Sequence, residues 1–512
     1  MDSRAAVMAD WPFSNTQILA FLFVWIAALR LPCLNFDVLS VDEAVYMALG
    51  SGLRHGLVPY VDLIDRKPIG IFLIYAFSDW AFPNGIVGVR LLGLLATFIA
   101  SALLVDIAQR FIRLPPTSAL LAGLFYSTYV LLFYGDSGQT PVFYMPLVIA
   151  GARLVFDDAE QLMAGASPSL LRTLIAGLLL GVSLQIKYST VFECIFCGGL
   201  LLVLAWHKRN ALGAAGLVRS GTAAGLMLVG GLLPTAVAYF VFASLGYGDA
   251  FVFYNFTANL TREATDFPLM DILFRSLLFT CALIPLFIKS VQSFATGSDW
   301  RRWVVAGWAI AALIGALAQF QPYATYFFDI PAPLSILAAS MYAAPTIKLV
   351  LARAAVVLLL PVAGYAGLHI KKVMDNGSPY LSSRIAADIR ALGPASMYNF
   401  NYYGIVHYWA DIPLPTRYPY PDHLIRDLEG RSFQFDNIAE IARILATTPD
   451  VLLVQQPMSK KITAQRQAMI MDKATSDYCL WRTYQAGPQE VQVYLSKTAQ
   501  GQAERACKTQ GE

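Results

Sequence analysis

The chain of 512 residues is far more apolar than a soluble protein. It contains 57% hydrophobic and 13% aromatic residues, and only 14% charged residues, whereas a soluble domain carries about 25% charged residues. This composition excludes a disordered chain, a coiled coil and an ordinary soluble globule, and it predicts a polytopic α-helical membrane protein. The net charge of +3 is small and no basic run is present, which argues against nucleic acid as a partner.

Eleven apolar runs are long enough to cross a membrane, which takes about 17–25 residues. They lie at residues 17–33, 86–108, 117–134, 141–156, 171–187, 190–206, 221–245, 269–288, 303–320, 329–346 and 351–368. The run 68–82 is not counted, because its helix would cover only about 22 Å of a ~30 Å hydrocarbon core. We expect this run to form a helix along the outer interface. The apolar residues expected on its bilayer side are Ile71, Phe72, Ile74, Tyr75 and Phe77.

The Lys and Arg residues between these runs fall mainly on one side. With the N-terminus inside, twelve lie in the inside loops, and only Lys187 and Arg262 lie in the short outside loops. Such an excess is typical of cytoplasmic loops. We therefore predict a transmembrane domain at residues 1–369, whose first outer loop is residues 34–85, and an extracytoplasmic domain at residues 370–512.

The tail, residues 370–512, has the pattern of a small α/β domain. Helical patterns at 384–392 and 438–445 alternate with short apolar runs at 451–454 and 491–495, as expected for helices and strands of one domain. Cys479 and Cys507 lie in this tail, where a disulfide and two free thiols are both open. Cys194 and Cys197 have a CxxC spacing inside an apolar run, which we interpret as two buried, inert thiols.

The first outer loop contains an acidic motif. Ser40 and Glu43 have the spacing of a capping box, in which each side chain bonds the backbone N–H of the other residue. We expect the helix that follows to end near Leu49, at Gly50. The capping box accounts for Glu43 but does not require Asp42, which lies in the first helical turn, where the helix dipole favours an ionised carboxylate. Asp42 is therefore either a helix-start residue or a functional acid.

A basic motif follows in the same loop. Arg66 and Lys67 precede Pro68, which suits the first position of a helix. A helix N-terminus with two adjacent cations is a suitable site for a phosphate held at the membrane surface. The alternative is that both side chains snorkel and anchor an interfacial helix.

Three more charged residues lie at predicted membrane edges. Lys187 ends one span, Asp136 follows the third, and Asp329 begins the tenth. Charges at membrane depth are costly and are functional candidates by default, although each of these residues is equally compatible with an ordinary helix end. All three lie on the predicted outer side with the first loop, and the midplane is nearly bare of charge.

With these motifs the sequence resembles the GT-C glycosyltransferase superfamily, near the bacterial branch of the dolichyl-phosphate-mannose–protein mannosyltransferases and the lipid A aminoarabinose transferases. The likeness covers most of the chain and depends on the order, spacing and predicted side of the motifs. These are Asp42-Glu43 with Tyr46, Asp65-Arg66-Lys67-Pro68 with Gly70, Gln185-Ile186-Lys187-Tyr188, the segment 323–333, and the tail phrases at 405–409 and 415–418.

The resemblance implies an inverting transfer of a sugar from a polyprenyl-phosphate carrier to a glycolipid acceptor on the periplasmic face of a bacterial inner membrane. The expected acceptor is lipid A or lipopolysaccharide core. Membrane lipids are expected as further partners. Asp42, with Glu43 beside it, is the expected catalytic base, and Lys67 with Arg66 or Lys187 is expected to neutralise the phosphate. The further residues that the resemblance suggests for substrate binding are Tyr46, Asp65, Asp136, Tyr323 and Tyr326.

The resemblance implies no nucleotide cofactor and no metal, with a divalent cation left open. One residue departs from the family pattern: Arg66 stands where many members have an acid or a small residue. The added cation favours an acidic donor sugar, which suggests a lipopolysaccharide galacturonosyltransferase as one specific assignment.

Two other classes of protein remain alternatives. A lipid-linked sugar flippase or transporter predicts charges near the bilayer centre, paired broken helices and internal symmetry, and the sequence displays none of these. An O-antigen ligase or polymerase shares the membrane and the lipid carrier, but it does not account for an acid in the first loop followed by a lysine-proline helix.

Overall fold

The computed structural model describes residues 14–260, 268–295, 297, 299–319, 321, 323–342 and 347–498. This part of the chain is mostly helical and has a small sheet in the tail, which confirms the predicted fold class. Arg262 and Cys507 lie outside the described residues.

Helices make up the chain before the tail. The α-helices are Asn15–Arg30, Val41–Arg54, Ile69–Ala81, Gly85–Arg110, Pro116–Tyr129, Thr140–Met163, Leu170–Leu184, Val191–His207, Arg209–Ser244, Gly248–Val252, Ala258–Leu260, Leu269–Ala282, Ile284–Ala295, Trp300–Leu317, Pro331–Ala339 and Ile347–Asn376. The 3₁₀ turns are Leu31–Cys33, Val130–Phe133, Tyr188–Thr190 and Ala324–Phe327, and Phe253–Thr257 is a π-helical turn. The long helix Arg209–Ser244 is interrupted at Gly213, whose φ of 62° is accessible to glycine without strain.

Not all of the predicted spans are long enough to cross a membrane. Within the described residues six helices are long and apolar enough, or seven if the bent pair Leu269–Ala282 and Ile284–Ala295, which meet at 62°, forms one span. Eleven spans are therefore not confirmed. The shortest case is Pro331–Ala339, whose 9 residues cover only about 14 Å at 1.5 Å per residue.

The chain divides into two compact units, and one boundary between them, at residues 366 and 367, lies close to the predicted boundary at residue 369. The first comprises the described residues of Met1–Leu34, Arg90–Val241 and Phe267–Ala366. The second comprises the described residues of Asn35–Val89, Phe242–Asp266 and Gly367–Glu512. The first outer loop thus packs in one unit with the tail, and the proposed division at residue 369 stays a prediction.

The tail contains a four-stranded sheet flanked by helices, as its alternating pattern predicted. Its strands are β1 Met397–Asn399, β2 Val451–Gln456, β3 Tyr478–Ala486 and β4 Gln489–Ser496. Their spatial order is β1-β2-β4-β3, with β1 parallel to β2 and the other neighbours antiparallel. The tail helices are Leu381–Leu392, Ile405–Ala410, Pro421–Ile425, Asp427–Phe433, Asn437–Ala446 and Ala464–Asp477. A buried apolar core between sheet and helices includes Ile385, Val406 and Val493.

The cysteines partly follow the expectations. Cys479 is disulfide-bonded. Of the two alternatives for the tail, a disulfide or free thiols, the structure therefore has the disulfide at this residue. Cys194 and Cys197 are free, as predicted, and Cys197 is buried whereas Cys194 is half-buried.

The helix Val41–Arg54 begins where the capping box predicts but ends later than expected. We predicted an end at Gly50, yet the helix continues to Arg54. The glycine is needed for packing instead, because a Cβ at Gly50 would lie 2.7 Å from both the backbone nitrogen of Ala76 and the Cβ of Tyr75. Glycine therefore allows the close approach of Val41–Arg54 to the helix Ile69–Ala81.

The helix Ile69–Ala81 has 13 residues, about 20 Å at 1.5 Å per residue, in keeping with the decision not to count it as a span. Pro68 is its N-cap and not its first helical residue. The predicted bilayer face is wrong at three positions, because Ile71, Phe72 and Tyr75 are fully buried in the protein. The exposed apolar side chains of this helix are Leu73, Phe77 and Trp80.

Candidate functional site

Asp42 lies in the first turn of Val41–Arg54 and is half-buried. Its carboxylate is close enough to Asp65 for its negative charge to act on that residue. The first outer loop therefore brings together an acid from its first helix and an acid from the basic motif, which the sequence separates by more than twenty positions.

Glu43 and Tyr46 have structural roles in the same helix. The Glu43 Oε2 atom accepts the backbone N–H groups of Leu39, at 3.3 Å, and Ser40, at 3.4 Å, and the carboxylate is buried. Tyr46 is also buried, with its ring centroid 5.5 Å from that of Tyr75. Glu43 therefore caps the helix, and Tyr46 packs the helix against its neighbour, while their predicted catalytic and substrate-binding roles stay predictions.

Asp65 is held beside Lys67. Its Oδ1 atom accepts the Lys67 backbone N–H at 2.8 Å. Burial raises the pKa of Asp65 above its usual range, the Asp42 charge raises it further, and the Lys67 charge opposes both effects. The site therefore holds two carboxyl groups and one ammonium group, and Asp65 takes up a proton more readily than an exposed aspartate would.

Arg66 does not face the site as an uncompensated cation. Its guanidinium forms an ion pair with Glu429 of the tail helix Asp427–Phe433. The guanidinium carbon also lies 4.3 Å from the ring centroid of Phe433, in the range of a cation–π contact. Arg66 therefore connects the first loop to the tail, and its predicted role in phosphate binding stays a prediction.

Tyr60 is a residue of the site that the sequence did not reveal. It is almost fully buried and has a φ of 71°, a conformation that is rare for a bulky residue and that often marks a functional constraint. Its hydroxyl donates to the Lys67 carbonyl at 2.8 Å. Its ring stacks on that of Tyr254 with centroids 6.4 Å apart. Tyr60 thus fixes the backbone that carries Lys67.

A large cavity lies within the second unit. Its volume is about 1430 Å³, and it is lined by the C-terminal end of Val41–Arg54 and by the tail. The Tyr408 hydroxyl donates to Asp79 at 2.7 Å at its wall, and Trp409 and Arg417 also line it. The tail phrases that carried the family resemblance, at 405–409 and 415–418, therefore contribute to this cavity.

The first unit contains a second polar cluster around Lys187. The Lys187 ammonium is buried and lies 4.2 Å from the ring centroid of Tyr326. Asp329 is buried too and accepts the Tyr144 hydroxyl at 2.7 Å. Glu193, in the first turn of Val191–His207, is 1% exposed. The Lys187 charge acts on both carboxyl groups, so the three ionisable side chains form one cluster.

Glu193 was missed from the sequence. It is a single acid near the end of a long apolar run, and no motif or spacing marks it. Glu193 lies in the first turn of Val191–His207, so the prediction that the midplane is nearly bare of charge is not affected by it. Such a buried acid within a membrane segment is a functional candidate by default.

Asp136, Tyr323 and Tyr326 also belong to the first unit. Asp136 is buried and accepts the Tyr365 hydroxyl at 3.2 Å. The rings of Tyr323 and Tyr326 lie edge to face with centroids 5.8 Å apart. Tyr326 is therefore part of the Lys187 cluster, whereas the structure gives Asp136 a hydroxyl partner on another helix.

Metal ligands do not gather in the described ranges: no group of three His, Cys, Asp or Glu side chains lies together there. Asp42 and Asp65 are a pair of carboxyl groups beside a cation.

Comparison with known proteins identifies the fold. No family model matches the chain, and no curated protein does. Among solved structures, ArnT from Cupriavidus metallidurans bound to undecaprenyl phosphate is similar with a TM-score of 0.56 and 11% identity, over 93% of this chain and 97% of that one. The chain therefore has the fold of ArnT, a lipid A aminoarabinose transferase of the GT-C superfamily, and this is the fold class that the motifs predicted.

Two further structures are less similar. AglB, the oligosaccharyltransferase of Archaeoglobus fulgidus in complex with an inhibitory peptide and a dolichol-phosphate, has a TM-score of 0.48 at 10% identity, over 86% of this chain and 69% of that one. The S. cerevisiae protein O-mannosyltransferase Pmt1–Pmt2 bound to the sugar donor has a TM-score of 0.38 at 18% identity, over 52% and 39%. These scores are too low to carry an argument, so the fold assignment rests on the likeness to ArnT.

Proposed function

We propose that the protein is a membrane glycosyltransferase that moves a sugar from a polyprenyl-phosphate carrier to a glycolipid acceptor. The observation that carries this proposal is the grouping of Asp42, Asp65 and Lys67 in the first outer loop of a chain with the GT-C fold. A carboxylate that accepts a proton and an ammonium that stabilises a departing phosphate are the two groups that this reaction needs.

In this mechanism Asp42 takes the proton of an acceptor hydroxyl. The hydroxyl oxygen forms a bond to the anomeric carbon of the sugar as the bond from that carbon to the phosphate oxygen breaks. The configuration at the anomeric carbon is inverted, and the polyprenyl phosphate leaves with the bonding electrons. The Lys67 ammonium stabilises the negative charge that develops on the phosphate, while Asp65 holds the Lys67 backbone.

A direct assay tests the proposal against its alternatives. Purified protein in lipid is given polyprenyl-phosphate sugars and extracted envelope glycolipid, and the products are identified by mass spectrometry. A sugar added to the glycolipid, with release of polyprenyl phosphate, supports transfer. Movement of intact donor across the bilayer without release would indicate a flippase, and addition of a preassembled glycan chain would indicate a ligase.

The acceptor class is a finer part of the proposal. The 1430 Å³ cavity is large enough for several sugar rings, and it combines an indole, a phenol and charged groups at Trp409, Tyr408 and Arg417. A lipopolysaccharide core or lipid A headgroup suits this mixture of polar and apolar walls. The donor sugar is left unassigned; galacturonic acid stays a prediction, and the ion pair of Arg66 with Glu429 compensates part of the positive charge that would favour it.

The cavity makes a testable prediction for Trp409. Trp409→Ala should raise the acceptor KM by about tenfold, which corresponds to ~1.4 kcal/mol, and leave the donor KM unchanged. Trp481→Ala is a matched control, since Trp481 packs against the same tail core but does not line the cavity. Equal effects of the two substitutions on the acceptor KM would contradict acceptor binding in the cavity.

The proposal also includes a location in the bacterial inner membrane, with the first loop and the tail on the periplasmic side. It is supported by the uneven distribution of Lys and Arg between the predicted loops, with twelve in the inside loops and two in the short outside loops. Reporter fusions after Phe82, Arg113 and Lys372 should read outside, inside and outside. An inside signal at Lys372 would overturn the proposed orientation of the tail.

A further inference from the structure

The charged side chains around the cavity of the second unit limit the kind of ligand that it can take. Among the described residues that line it, the guanidiniums are those of Arg54, Arg390, Arg417 and Arg443, and no lysine is included. Four arginines around a cavity would suit a phosphate if their charges were available to it. The contacts within the wall indicate instead that these charges are largely compensated by carboxylates.

Two of the arginines form ion pairs at different parts of the wall. Arg54 pairs with Asp79, whose carboxylate also accepts the Tyr408 hydroxyl at 2.7 Å. The Asp79 side chain is only 7% exposed, so its charge lies close against these two partners. Arg390 pairs with Asp411 at 3.6 Å, and both side chains are exposed. Each of these two guanidiniums therefore has a carboxylate beside it.

The other two arginines share one carboxylate, that of Glu440. Arg443 donates to the Glu440 Oε1 atom at 2.7 Å, and the Thr416 hydroxyl donates to the same atom at 2.6 Å. The Arg417 charge also acts on Glu440, while the Arg417 guanidinium donates to the Tyr418 hydroxyl at 3.3 Å. The hydrogen bond from Arg443 lowers the pKa of Glu440 below its ordinary range, against the effect of burial. Glu440 is therefore ionised at neutral pH.

Carboxylates outnumber guanidiniums in this lining. Besides the three that pair with arginines, Asp62 and Asp436 line the cavity. Their oxygens accept backbone N–H groups, that of Val58 at 2.7 Å and that of Ile438 at 2.9 Å. The described lining thus has five carboxylates and four guanidiniums. At about pH 8, where histidines are mostly neutral, this leaves one negative charge in excess.

Aromatic rings form the apolar part of the wall. Tyr408 and Trp409 line the cavity, as do Tyr418 and Phe435, whose rings stack with centroids 3.8 Å apart. The apolar faces of sugar rings can pack on such aromatic surfaces. Sugar hydroxyls both donate and accept hydrogen bonds, so they match a wall in which guanidiniums donate and carboxylates accept. A phosphate ester matches this wall poorly, because it brings up to two negative charges to a surface that already has an excess of them.

We propose that the cavity selects an uncharged saccharide and disfavours a saccharide that carries a phosphate ester. This inference rests on the proposed function, in which the cavity binds the acceptor, and it narrows the class of that acceptor. A phosphate-free sugar of the glycolipid core is preferred over a phosphorylated lipid A headgroup. Specificity then comes from the repulsion of like charges in the wrong complex as well as from contacts in the right one.

The experiment measures binding to the full-length protein in lipid nanodiscs, without donor, at about pH 8. The probe is the oligosaccharide of extracted envelope glycolipid, freed of its acyl chains, in its phosphorylated form and after removal of the phosphate esters. By isothermal titration calorimetry we expect the dephosphorylated form to bind with a Kd about tenfold lower. This preference should shrink between about 50 mM and 500 mM salt, because salt screens the charges of a partly exposed wall.

Glu440→Gln separates the charge balance from the shape of the cavity. It removes the negative charge that Arg443 and Arg417 share, while the amide keeps the size of the side chain and one acceptor oxygen. The phosphorylated form should therefore bind roughly threefold more tightly than it binds to the wild type, and the preference should fall. Asp388→Asn is the matched control, since Asp388 pairs with Arg482 at 2.7 Å in the tail but does not line the cavity. It should keep the wild-type preference.

The first test of the inference needs no variant. Wild-type protein that binds the phosphorylated form at least as tightly, or that does not bind the dephosphorylated form, would overturn it. A folded Glu440→Gln protein with the same preference as the wild type would contradict it as well. Failure of the proposed function is distinguishable, because the preference is measured by binding alone, whether or not the separate transfer assay finds a product.

Discussion

Asp42→Asn should lower the rate of sugar transfer by roughly 10²–10⁴-fold, which is the usual cost of losing a general base. The substitution keeps the size of the side chain and its place in the first turn of Val41–Arg54, so the protein should fold and insert normally. The amide cannot take the proton of the acceptor hydroxyl. We expect kcat to fall with little change in the KM for either substrate, because the lost interaction acts in the transition state.

Glu43→Gln is the matched control for this experiment. It lies next to Asp42 in the same helix, and its carboxylate accepts the backbone N–H groups of Leu39 and Ser40. Its replacement should weaken the helix start slightly, because a neutral amide oxygen accepts the same N–H groups less strongly than a carboxylate does, but kcat should stay within a few-fold. Near-normal turnover of a well-folded Asp42→Asn protein would reject Asp42 as the base. Adding EDTA to the wild-type assay tests the prediction that no metal is needed.

The features of the first loop that are local in sequence were predictable. The capping box of Ser40 and Glu43 predicted the start of Val41–Arg54, and Pro68 predicted the next helix to within one residue. The end of the first helix was not predictable, because Gly50 is a helix breaker in isolation but a packing position in the fold. Its close contact with Tyr75 depends on how two helices meet, and the local sequence does not contain that information.

The partners of the charged residues could not be predicted for a similar reason. Arg66 and Glu429 are 363 positions apart, and no short-range pattern relates them, so Arg66 was assigned to the phosphate with Lys67. Glu193 lies alone in an apolar run. The charged residues that interact with it, Lys187 and Asp329, lie in other segments of the chain. The sequence thus identified the class of chemistry, while the charge balance of each site required the tertiary structure.

Substitutions in the first loop should also separate the roles of its two cations, Lys67 and Arg66. Lys67→Ala removes the ammonium that stabilises the departing phosphate, and we expect transfer to fall by roughly 10²–10³-fold, as when a group that stabilises transition-state charge is lost. Lys67→Arg keeps the charge but replaces a point ammonium with a planar fork, so an intermediate rate is expected. The measurement is the initial rate of transfer against donor concentration for purified variants in lipid, normalised to folded protein.

Arg66→Ala provides the contrasting result. Because Arg66 pairs with Glu429 and stacks on Phe433, its loss should destabilise the contact between the first loop and the tail, and breaking a nearly buried pair in this way costs about 3–5 kcal/mol. Glu429→Gln should destabilise the protein as well, and the double substitution should cost less than the sum of the two single ones, since both remove the same pair. In each case the transfer rate per folded molecule should stay close to that of the wild type.

The alternative for Lys67 is a basic side chain that only anchors its helix at the membrane surface. Under that alternative, Lys67→Ala should behave like Arg66→Ala. Its expression or stability should fall, and its transfer rate per folded molecule should not change. Tyr60→Phe tests whether the backbone conformation at Lys67 matters for transfer. It removes only the hydroxyl of Tyr60, which donates to the Lys67 carbonyl. A rate loss in Tyr60→Phe alongside wild-type kinetics in Lys67→Ala would mean that the loop conformation, and not the ammonium, supports transfer. Wild-type kinetics in both variants would remove the phosphate site from the first loop.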